Sequence, residues 1–540
     1  MPAATQFDFI VIGSGAAALT AALTASVAGL KTAIIEKTDK LGGTSAMSGA
    51  ASWLPVNHYG KAAGYDDTPE EALEYLRATA PDGWRDTEDA LWDSFARNAG
   101  PMLAFVEAHT PLRYALTSEP DVYSEAPGAK THGRMVAPMP LSRRLLGPYA
   151  KRLRGSTLPH IFTYQEMIDN DLYRKPIRTT LKFAPQLLRR LIGSERAKGA
   201  ALTIGLLRGC LDHGCHLALD TRAIELTTDP THGGVTGVVV EHNGQRETLN
   251  AARGVLLATG GFEWDRERLQ QHFPGPIDRL GSSPGNAGDA LRMAEQVGAA
   301  LAHMDQALIY PCLPTRYDGK LHAMPAPIHM EPNAIVVDRH GKRFVSEYAV
   351  DLGEALDRRG PDGAPAHLPA WLISDRTFLR PALRWYAHYD PDWIVRAPTI
   401  AALADRIKVP REALAETIER FNGFCAKGRD EDFHRGESIF QKAKAKNKPM
   451  LSPIRKAPYV AMPFNRCILT TKGGLRTNEH AQVLREDGSV ITGLYCAGAA
   501  MANPIGTRAI SAGTTIGPNM TWGYICAQDV LRTNRPAEAS

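Results

Sequence analysis

Three small residues near the start of the chain, Gly13, Gly15 and Ala18, have the G-x-G-x-x-A spacing of a phosphate-binding turn. The first glycine allows a tight bend, the second lets the backbone approach a pyrophosphate, and the small third residue lets a helix pack closely. Glu36 follows Gly15 by 21 residues, where a carboxylate can accept hydrogen bonds from a ribose diol. These residues predict the binding of a dinucleotide.

The segments around this turn have the patterns needed to position it. Residues 7–12 are mostly apolar and predict a strand buried on both faces. Residues 16–30 are rich in alanine and leucine and predict a helix whose first N–H groups can face an anion. A second apolar strand, KTAIIEK, carries Glu36. The order strand, glycine turn, helix and strand predicts an α/β domain of the Rossmann type.

The loop after Glu36 distinguishes FAD from NAD. In flavoproteins of the glutathione-reductase type, a loop of small and hydroxyl residues at this place passes under the isoalloxazine ring. The alternative is a flexible surface loop, but Met47, Trp53 and Leu54 are interleaved with the small residues, which favours a packed element. The predicted flavin contacts of this loop are Gly42, Gly43, Thr44, Ser45, Ser48 and Gly49.

Composition excludes several other classes of protein. The 540 residues carry a net charge of only +4, which gives no reason to expect nucleic acid as a partner. The seven cysteines form no CxxC pair, so neither a disulfide framework nor a metal site is predicted. The segment MPAATQ lacks the basic start of a signal peptide, and no run of 18 apolar residues occurs. We therefore expect a soluble, cytoplasmic protein.

Three further segments have a recognisable character: GVLLATGGFEWD, SSPGNAGDALRMAEQVGA, and GSVITGLYCAGAA with the following GTTIGPNMTWGYICAQDV. Together with EKTDKLGGTSAMSG they resemble the fumarate reductase/3-ketosteroid dehydrogenase class of FAD enzymes over nearly the whole chain. The segments GGTSAMSGAASWLP and NAIVVDRHGKRFVSE are most similar to those of the 3-ketosteroid Δ1-dehydrogenases.

The resemblance implies a split architecture. An FAD-binding domain of the glutathione-reductase type would comprise residues 1–297, with a helical insert at about 110–205, and residues 456–540. An α+β substrate domain at 298–455 would lie between the two parts. Residues 298–455 contain no nucleotide-binding glycine loop, which agrees with this division.

The resemblance also implies the remaining flavin contacts. Covalent attachment is not expected, because the loop that carries the attaching histidine in succinate dehydrogenase-type enzymes reads GGTSAMSG here. The helix that follows Gly513 would stabilise negative charge on the reduced ring. The implied contacts are Ser14, Ala16, Ala17, Lys37, Ala223, Ala258, Thr259, Gly260, Gly261, Asn286, Asp289, Gly498, Gly513, Thr515 and Ile516.

Desaturation beside a ketone requires a base for the α proton, donors for the enolate oxygen and an acceptor for the β hydride. A phenol with a lowered pKa suits the base in an apolar pocket. In Δ1-dehydrogenases two tyrosines serve near the α proton. The resemblance places the first at Tyr123, although exposed loop tyrosines are common, and the second at Tyr310, with Tyr317 close by.

The carbonyl-binding position departs from the family pattern. The family has a tyrosine and a glycine here, and this chain has Ala509 and Gly513. Arg508 and Ser511 are the nearest polar side chains that could replace the missing phenol. Arg508 could equally pair with a flavin phosphate or an acidic residue.

This departure leaves several reactions open. Δ4-dehydrogenation of a 3-ketosteroid, or desaturation of another cyclic ketone, is an alternative to Δ1-dehydrogenation. A fumarate reductase-like enoate reductase is a further alternative, but MANPIGTRAISAGTT lacks the expected histidine. The segments LIYPCLP, MPAPIHM and YVAMPF are apolar and favour a hydrophobic, steroid-like ketone as substrate, with a quinone or similar compound as electron acceptor. A flavin-binding protein without catalysis is disfavoured, because the chain keeps a full substrate domain.

One segment raises the question of a membrane. Residues 174–199 contain eight basic residues and one acidic residue, with leucine, isoleucine and phenylalanine between them. Such a segment could lie on an anionic bilayer at the inner membrane face. The alternative, which helical periodicity favours, is a solvated helix that packs its leucines inward.

Overall fold

The computed structural model describes residues 5–349, 351–378, 381–445 and 448–532. Within this part of the chain the strands are β1 (Thr5–Ile12), β2 (Thr32–Ile35), β3 (Ser52–Trp53), β4 (Tyr114–Leu116), β5 (Met135–Pro138), β6 (Leu141–Ser142), β7 (Glu195–Arg196), β8 (His216–Ala218), β9 (Thr221–Thr228), β10 (Val235–His242), β11 (Gln245–Leu257), β12 (Ile277–Leu280), β13 (Leu301–Ala302), β14 (Ala307–Ile309), β15 (Cys312–Tyr317), β16 (Lys320–Pro325), β17 (Ile335–Val337), β18 (Trp371–Asp375), β19 (Val395–Ala397), β20 (Tyr459–Pro463), β21 (Arg466–Thr471), β22 (Gly474–Leu475), β23 (Gln482–Leu484) and β24 (Val490–Cys496).

The α-helices of the same ranges are α1 (Ala16–Val27), α2 (Gly43–Met47), α3 (His58–Ala62), α4 (Pro69–Thr79), α5 (Arg85–His109), α6 (Tyr164–Asp169), α7 (Pro176–Lys182), α8 (Ala184–Ile192), α9 (Lys198–Asp212), α10 (Arg266–His272), α11 (Asp289–Glu295), α12 (Leu352–Asp357), α13 (Pro381–Ala387), α14 (Ile400–Ile407), α15 (Arg411–Lys427), α16 (Ile439–Ala445) and α17 (Ile516–Arg532).

The central sheet has the strand order β23-β24-β11-β1-β2-β8. Strands β24, β11, β1, β2 and β8 are parallel to one another, whereas β23 is antiparallel to β24. All four residues of β2 are buried. Both faces of this part of the sheet are therefore covered, which explains the continuous apolar runs of the sequence. The prediction of a Rossmann-like α/β domain is confirmed.

Strand β11 takes part in two layers. Its first half pairs with β10 in an antiparallel hairpin, and its second half pairs with β1 and β24. Asn243 and Gly244 close the hairpin, and both have positive φ, as a two-residue turn between twisted strands requires. Strand β10 also pairs with β9, whose Arg222 donates a hydrogen bond to Asp289 at the start of α11.

Helix α1 is buried almost throughout, because other helices pack against it. Cys210 of α9 donates a hydrogen bond through Sγ to the carbonyl of Leu19. On the other side, a Cβ at Gly523 of α17 would lie only 2.2 Å from the carbonyl oxygen of Ala17. Small residues in α1 and α17 thus allow these helices to pack closely beside the predicted nucleotide-binding turn.

The inserted unit has its own sheet and core. Its strand order is β17-β18-β20-β19, and α14 and α15 cover one face with Leu403, Leu414 and Phe421. Strand β20 lies beyond residue 455, so the sheet extends past the domain boundary predicted from the sequence. A smaller sheet, β12-β21-β14, connects the inserted unit to the flavin-binding side. The exact domain limits stay a prediction.

Candidate active site

A large cavity of about 910 Å³ lies at the carboxyl ends of the parallel strands, between the central sheet and the inserted unit. The turns after β1, β11 and β24 form one end of its wall, and residues from β14, β16 and α6 form the other. Open α/β sheets bind ligands at this edge. The volume is near the upper end of the range for cofactor and small-molecule sites.

The turn between β1 and α1 leaves space for a ligand and no space for side chains. Gly13 has a φ of +111°, and a Cβ there would lie 2.4 Å from the carbonyl oxygen of Ala258. Gly15, the N-cap residue of α1, contributes no side-chain cap of its own, and the first residues of the helix, Ala16 and Ala17, line the cavity. The Ala16 N–H donates to Ser45 Oγ at 3.0 Å. This arrangement fits a pyrophosphate.

Glu36 is buried on the cavity wall and is held in a fixed orientation. Its Oε2 accepts a hydrogen bond from Ser14 Oγ at 2.6 Å. Its Oε1 accepts from the N–H and the hydroxyl of Thr38, both at 2.9 Å. The remaining lone pairs of the carboxylate can accept from ribose hydroxyls, which is the role predicted for this residue.

Asp289 orients its neighbours from behind the wall. It contacts Lys37, which lines the cavity, and accepts from Arg222 at 2.9 Å and Arg292 at 2.7 Å. Burial alone would raise the pKa of Asp289, but the adjacent charge of Lys37 and the hydrogen bonds from Lys37 and the two arginines lower it to about 2. Asp289 is thus a permanent anion that positions Lys37.

The loop that was predicted to lie under the flavin is packed, as Met47, Trp53 and Leu54 had suggested. Thr44 Oγ1 accepts from the Ser283 N–H at 3.0 Å and from Asn286 Nδ2 at 3.1 Å. A Cβ at Gly260 would lie 2.6 Å from Asn286 Oδ1, so this turn also requires glycine. Three distant segments of the chain therefore meet at this loop.

The C-terminal turn completes the cradle. Gly513 has a φ of +87°, and a Cβ there would lie 2.6 Å from the carbonyl oxygen of Ala51. The carbonyl of Gly513 accepts from the Trp53 N–H at 3.1 Å. Helix α17 starts three residues later at Ile516, on the cavity wall. Its N-terminus favours negative charge in the cavity.

Most predicted cofactor residues line this cavity. Five do not: Ala18, Gly42, Ala223, Gly261 and Asp289 lie behind the wall, where they pack or support the residues that do. The predicted residues on the wall are Gly13, Ser14, Gly15, Ala16, Ala17, Glu36, Lys37, Gly43, Thr44, Ser45, Ser48, Gly49, Ala258, Thr259, Gly260, Asn286, Gly498, Gly513, Thr515 and Ile516.

Three of the predicted catalytic residues, Tyr310, Ser511 and Gly513, also line the cavity, as does Ala509. The Ser511 Oγ is buried and has no hydrogen-bond partner among the described residues. Burial raises the pKa of Tyr310, so its phenol is neutral in this structure. The lowered pKa expected for a phenolic base is not found at this residue.

The structure does not bring Tyr123 or Arg508 to the cavity. The Arg508 guanidinium donates to both carboxylate oxygens of Glu354, each at 3.0 Å, and to the carbonyls of Thr79 and Ala80. Burial raises the pKa of Tyr123, and the nearby carboxylate of Asp351 raises it further. Arg508 thus makes the ion pair with an acidic residue that was one of its two predicted roles.

Two phenols that sequence reasoning missed line the cavity, Tyr164 and Tyr173. Tyr164 donates to Glu119 Oε2 at 2.7 Å, and its ring lies where a Cβ of Gly49 would be 3.3 Å away. Tyr173 donates to the carbonyl of Pro325 at 3.0 Å. Burial raises the pKa of both, and Tyr164 is close enough to Tyr310 for their charges to interact. No local motif marks either residue, because tertiary packing assembles this group.

A cation on the wall was also missed. Burial lowers the pKa of Lys198 to about 8, and no acidic residue is paired with it among the described residues. The pKa of the neighbouring His160 is lowered by burial and by the charge of Lys198. An anionic group in the cavity would be the natural partner for this ammonium.

Other kinds of site were also considered. Across the described ranges, no group of histidine, cysteine and acidic residues could hold a metal ion. All seven cysteines are free thiols. In the same ranges, no helix is long and apolar enough to cross a bilayer.

The parallel sheet, the glycine turn after β1, the fixed carboxylate of Glu36 and the packed loop have the arrangement of a dinucleotide-binding flavoprotein. The chain belongs to the FAD binding domain family, whose model matches residues 8–516. The expected cofactor, FAD, and the expected class, an FAD-dependent oxidoreductase, are thereby confirmed.

Individual relatives resemble nearly the whole chain. It is 35% identical to 4-oxocyclohexanecarboxylate 2-dehydrogenase of Sinomonas cyclohexanicum, over 97% of this chain and 93% of the relative. It is 34% identical to 3-oxosteroid 1-dehydrogenase of Mycobacterium tuberculosis, over 97% and 98% of the two chains. Its structure matches 3-ketosteroid delta1-dehydrogenase of Sterolibacterium denitrificans in complex with 1,4-androstadiene-3,17-dione, with a TM-score of 0.87, 32% identity and coverage of 98% and 100%. The similarity to the 3-ketosteroid Δ1-dehydrogenases is confirmed.

Proposed function

We propose that this protein introduces a carbon–carbon double bond beside a ketone, with Δ1-dehydrogenation of a 3-ketosteroid as its reaction. The observation that carries the proposal is the continuity of the cavity: the nucleotide cradle opens directly into a chamber lined by Tyr164, Tyr173 and Tyr310. The names of the 3-oxosteroid dehydrogenases with which it shares about a third of its residues support the same substrate class.

Residues of the chain itself would bind the ketone oxygen and move the α proton. When bound, FAD supplies the two-electron acceptor for the β hydrogen. The N–H of Gly513 would hold the ketone oxygen at the end of the cavity where α17 begins. The hydroxyl of Ser511, which has no partner within the described ranges, can rotate to donate beside it. These two groups would replace the phenol of the tyrosine that the family has where this chain has Ala509.

Tyr164 is the best-placed phenol for proton removal. As the α C–H bond breaks, Tyr164 Oη would take this proton and pass its own proton to Glu119 Oε2, 2.7 Å away. The electrons of the C–H bond then form the double bond as the β hydrogen departs. Glu119 also pairs through its other oxygen with Lys444 of the inserted unit, so Oε2 is the oxygen that accepts from Tyr164. Tyr310, the base predicted from the sequence, would act beside Tyr164 as a neutral donor.

A smaller ketone that carries a carboxylate is the second candidate substrate. Lys198 favours it, because its ammonium lies on the cavity wall without an acidic partner in the part of the chain that the structure describes, and would attract an anionic substituent. The relative named 4-oxocyclohexanecarboxylate 2-dehydrogenase supports such a substrate. Δ4-dehydrogenation and enoate reduction remain alternatives to be distinguished by assay.

The reduced flavin needs an electron acceptor, and a quinone is proposed. Natural quinones with long chains reside in bilayers, so this acceptor agrees with peripheral contact between the protein and a membrane. The steroid-like substrate would also partition into lipid.

Anaerobic mixing tests the proposed function. A 3-ketosteroid should bleach the visible flavin absorbance, and the extracted product should be the Δ1 compound. Bleaching by 4-oxocyclohexanecarboxylate alone would favour the second candidate. If fumarate reoxidises the reduced protein while neither ketone bleaches it, the proposal is wrong.

A further inference from the structure

Surface helices usually bury their apolar side chains, but α7 and α8 expose most of theirs. Ile177, Leu181, Leu188, Leu191 and Ile192 point outward, with 55% to 76% of each residue exposed. On α8, Leu187 and Arg190 point inward. The arrangement predicted from periodicity, with the leucines packed against the protein, is therefore not observed. We call this outward surface, together with Leu145, the α7–α8 face.

An ion pair between buried Arg190 and partly buried Glu166 fixes this orientation. Arg190 donates to both oxygens of Glu166, at 2.7 Å and 2.8 Å, and to the carbonyl of Ile161. Glu166 belongs to the first turn of α6, where Thr163 forms a capping box with it. Because Arg190 must reach Glu166, the leucines on the opposite side of α8 face solvent.

The exposed apolar side chains are concentrated on this one surface. Among the described residues, eleven large apolar side chains are exposed, and six of them belong to the α7–α8 face. Leu145 joins the face because Arg144 donates to the carbonyl of Ile192 at 2.9 Å. A contiguous exposed apolar surface of this kind marks an interaction site.

Positive charge surrounds the apolar side chains. Arg143, Arg144, Arg178, Lys182 and Arg189 are all exposed, and no acidic residue occurs between positions 172 and 194. The nearest acidic partner is Glu195, 3.6 Å from Arg189. Apolar side chains bordered by lysine and arginine match the interface of an anionic bilayer, which offers both hydrocarbon and negative headgroups.

The α7–α8 face also lies beside the cavity. Asp171, Tyr173, Arg174 and Lys175 line the cavity, and α7 begins at the next residue, Pro176. Helix α6, which holds α8 through Glu166 and Arg190, contributes Tyr164, the proposed base. A surface docked through α7 and α8 would therefore bring the cavity rim to the headgroup region.

We propose that the α7–α8 face docks this protein on the surface of an anionic lipid bilayer, with the apolar side chains inserted among the headgroups and the cavity rim next to the lipid. The docking itself does not depend on the reaction. Only its consequence, uptake of a lipid-dissolved ketone, rests on the proposed function.

Flotation with vesicles tests docking without any turnover. The full-length protein with bound FAD should float with vesicles that contain phosphatidylglycerol, and less with vesicles of phosphatidylcholine alone. The variant Arg178→Gln, Lys182→Gln and Arg189→Gln should bind the anionic vesicles about a hundredfold more weakly, since each basic residue near the surface contributes about a factor of five. Lys175 and Arg190 are left intact, because one lines the cavity and the other is buried.

A second variant tests the apolar part. Ile177→Ser, Leu181→Ser and Leu188→Ser should reduce binding at least about tenfold, because three exposed apolar side chains no longer insert. The matched controls replace exposed residues elsewhere: Leu321, Ile439 and Val490 by serine, or Arg246, Arg266 and Lys408 by glutamine. Wild-type binding by both α7–α8 variants would overturn the proposal. So would a wild-type dimer that the serine variant dissociates, with no vesicle binding, because the face would then be a contact between two copies of the chain.

Turnover separates docking from uptake. With a ketosteroid in solution, both α7–α8 variants should keep the wild-type kcat/KM, whereas with the steroid held in anionic vesicles their rate should fall. If no ketone is turned over by any form, the proposed function fails, while flotation still decides the docking proposal.

Discussion

The phenol of Tyr164 donates a hydrogen bond of 2.7 Å to the carboxylate of Glu119, at the point where the cavity wall meets Lys444 of the inserted unit. This pair joins a proton acceptor to a phenol inside an apolar chamber. It involves three segments far apart in the sequence.

Replacing Tyr164 by phenylalanine should slow anaerobic flavin reduction by a ketosteroid about 10² to 10⁴-fold, the usual contribution of a general base. Glu119→Gln should lower the same rate, because an amide cannot take the proton that Tyr164 would pass on. Tyr123→Phe is the matched control, since that phenol lies off the cavity wall. Stopped-flow absorbance measures all three. Normal bleaching by Tyr164→Phe with slow bleaching by Tyr123→Phe would reverse the assignment.

Glu36→Ala should weaken FAD retention, because the buried carboxylate is fixed by Ser14 and Thr38 for hydrogen bonding to the ribose. Flavin content after gel filtration gives the measurement. Glu225→Ala, on the exposed side of β9, should retain FAD as the wild type does. Acid precipitation should release the flavin into the supernatant, since no covalent link is expected. Equal flavin content in the two variants would remove Glu36 from the ribose site.

Gly13→Ala should prevent FAD binding and lower the melting temperature. The added Cβ would meet the carbonyl oxygen of Ala258 at 2.4 Å, and the φ of +111° is strained for alanine. Gly29→Ala is the comparison, because Gly29 also has positive φ but has nothing within 4 Å of its Cβ position. Scanning calorimetry with and without added FAD separates backbone strain from loss of the ligand. An alanine at Gly13 that binds FAD normally would contradict the proposed pyrophosphate turn.

Binding of a carboxylate-bearing cyclic ketone should weaken as the pH rises above about 8, because the Lys198 ammonium loses its proton in that range. Below this pH the charged form predominates and binding should be constant. A neutral ketosteroid should show no such dependence. Lys198→Met should abolish the pH dependence and weaken binding of the anionic ketone below pH 8, as titration calorimetry would show. If the methionine variant keeps the dependence, another group is responsible.

Arg190→Gln should destabilise the fold by about 2 to 3 kcal/mol, because it removes the charged hydrogen bonds between buried Arg190 and partly buried Glu166. Arg189→Gln should change stability by less than about 1 kcal/mol, since its side chain is exposed. Urea denaturation of the two neighbouring variants gives the comparison. Equal stabilities would mean that the ion pair does not hold α8 in its observed orientation.

Local sequence determined the cofactor half of the site. The turn at Gly13 and Gly15, helix α1 and Glu36 lie within one βαβ unit, so short-range spacing is enough to place them. The loop from Gly42 to Gly49 was also identified from its composition. These segments can be recognised in the sequence because their backbone conformations, including positive φ, require glycine or other small residues.

Tertiary structure alone decided the substrate half and the surface. Tyr164, Glu119 and Lys198 come together from separate segments, and no spacing rule links them. Arg508 pairs with Glu354; the sequence allowed an acidic partner for Arg508 but could not identify which one. On α8, periodicity favoured buried leucines, but the ion pair between Arg190 and Glu166 turned them outward. Interactions between residues distant in the chain depend on how elements pack, and that information is absent from any single stretch of sequence.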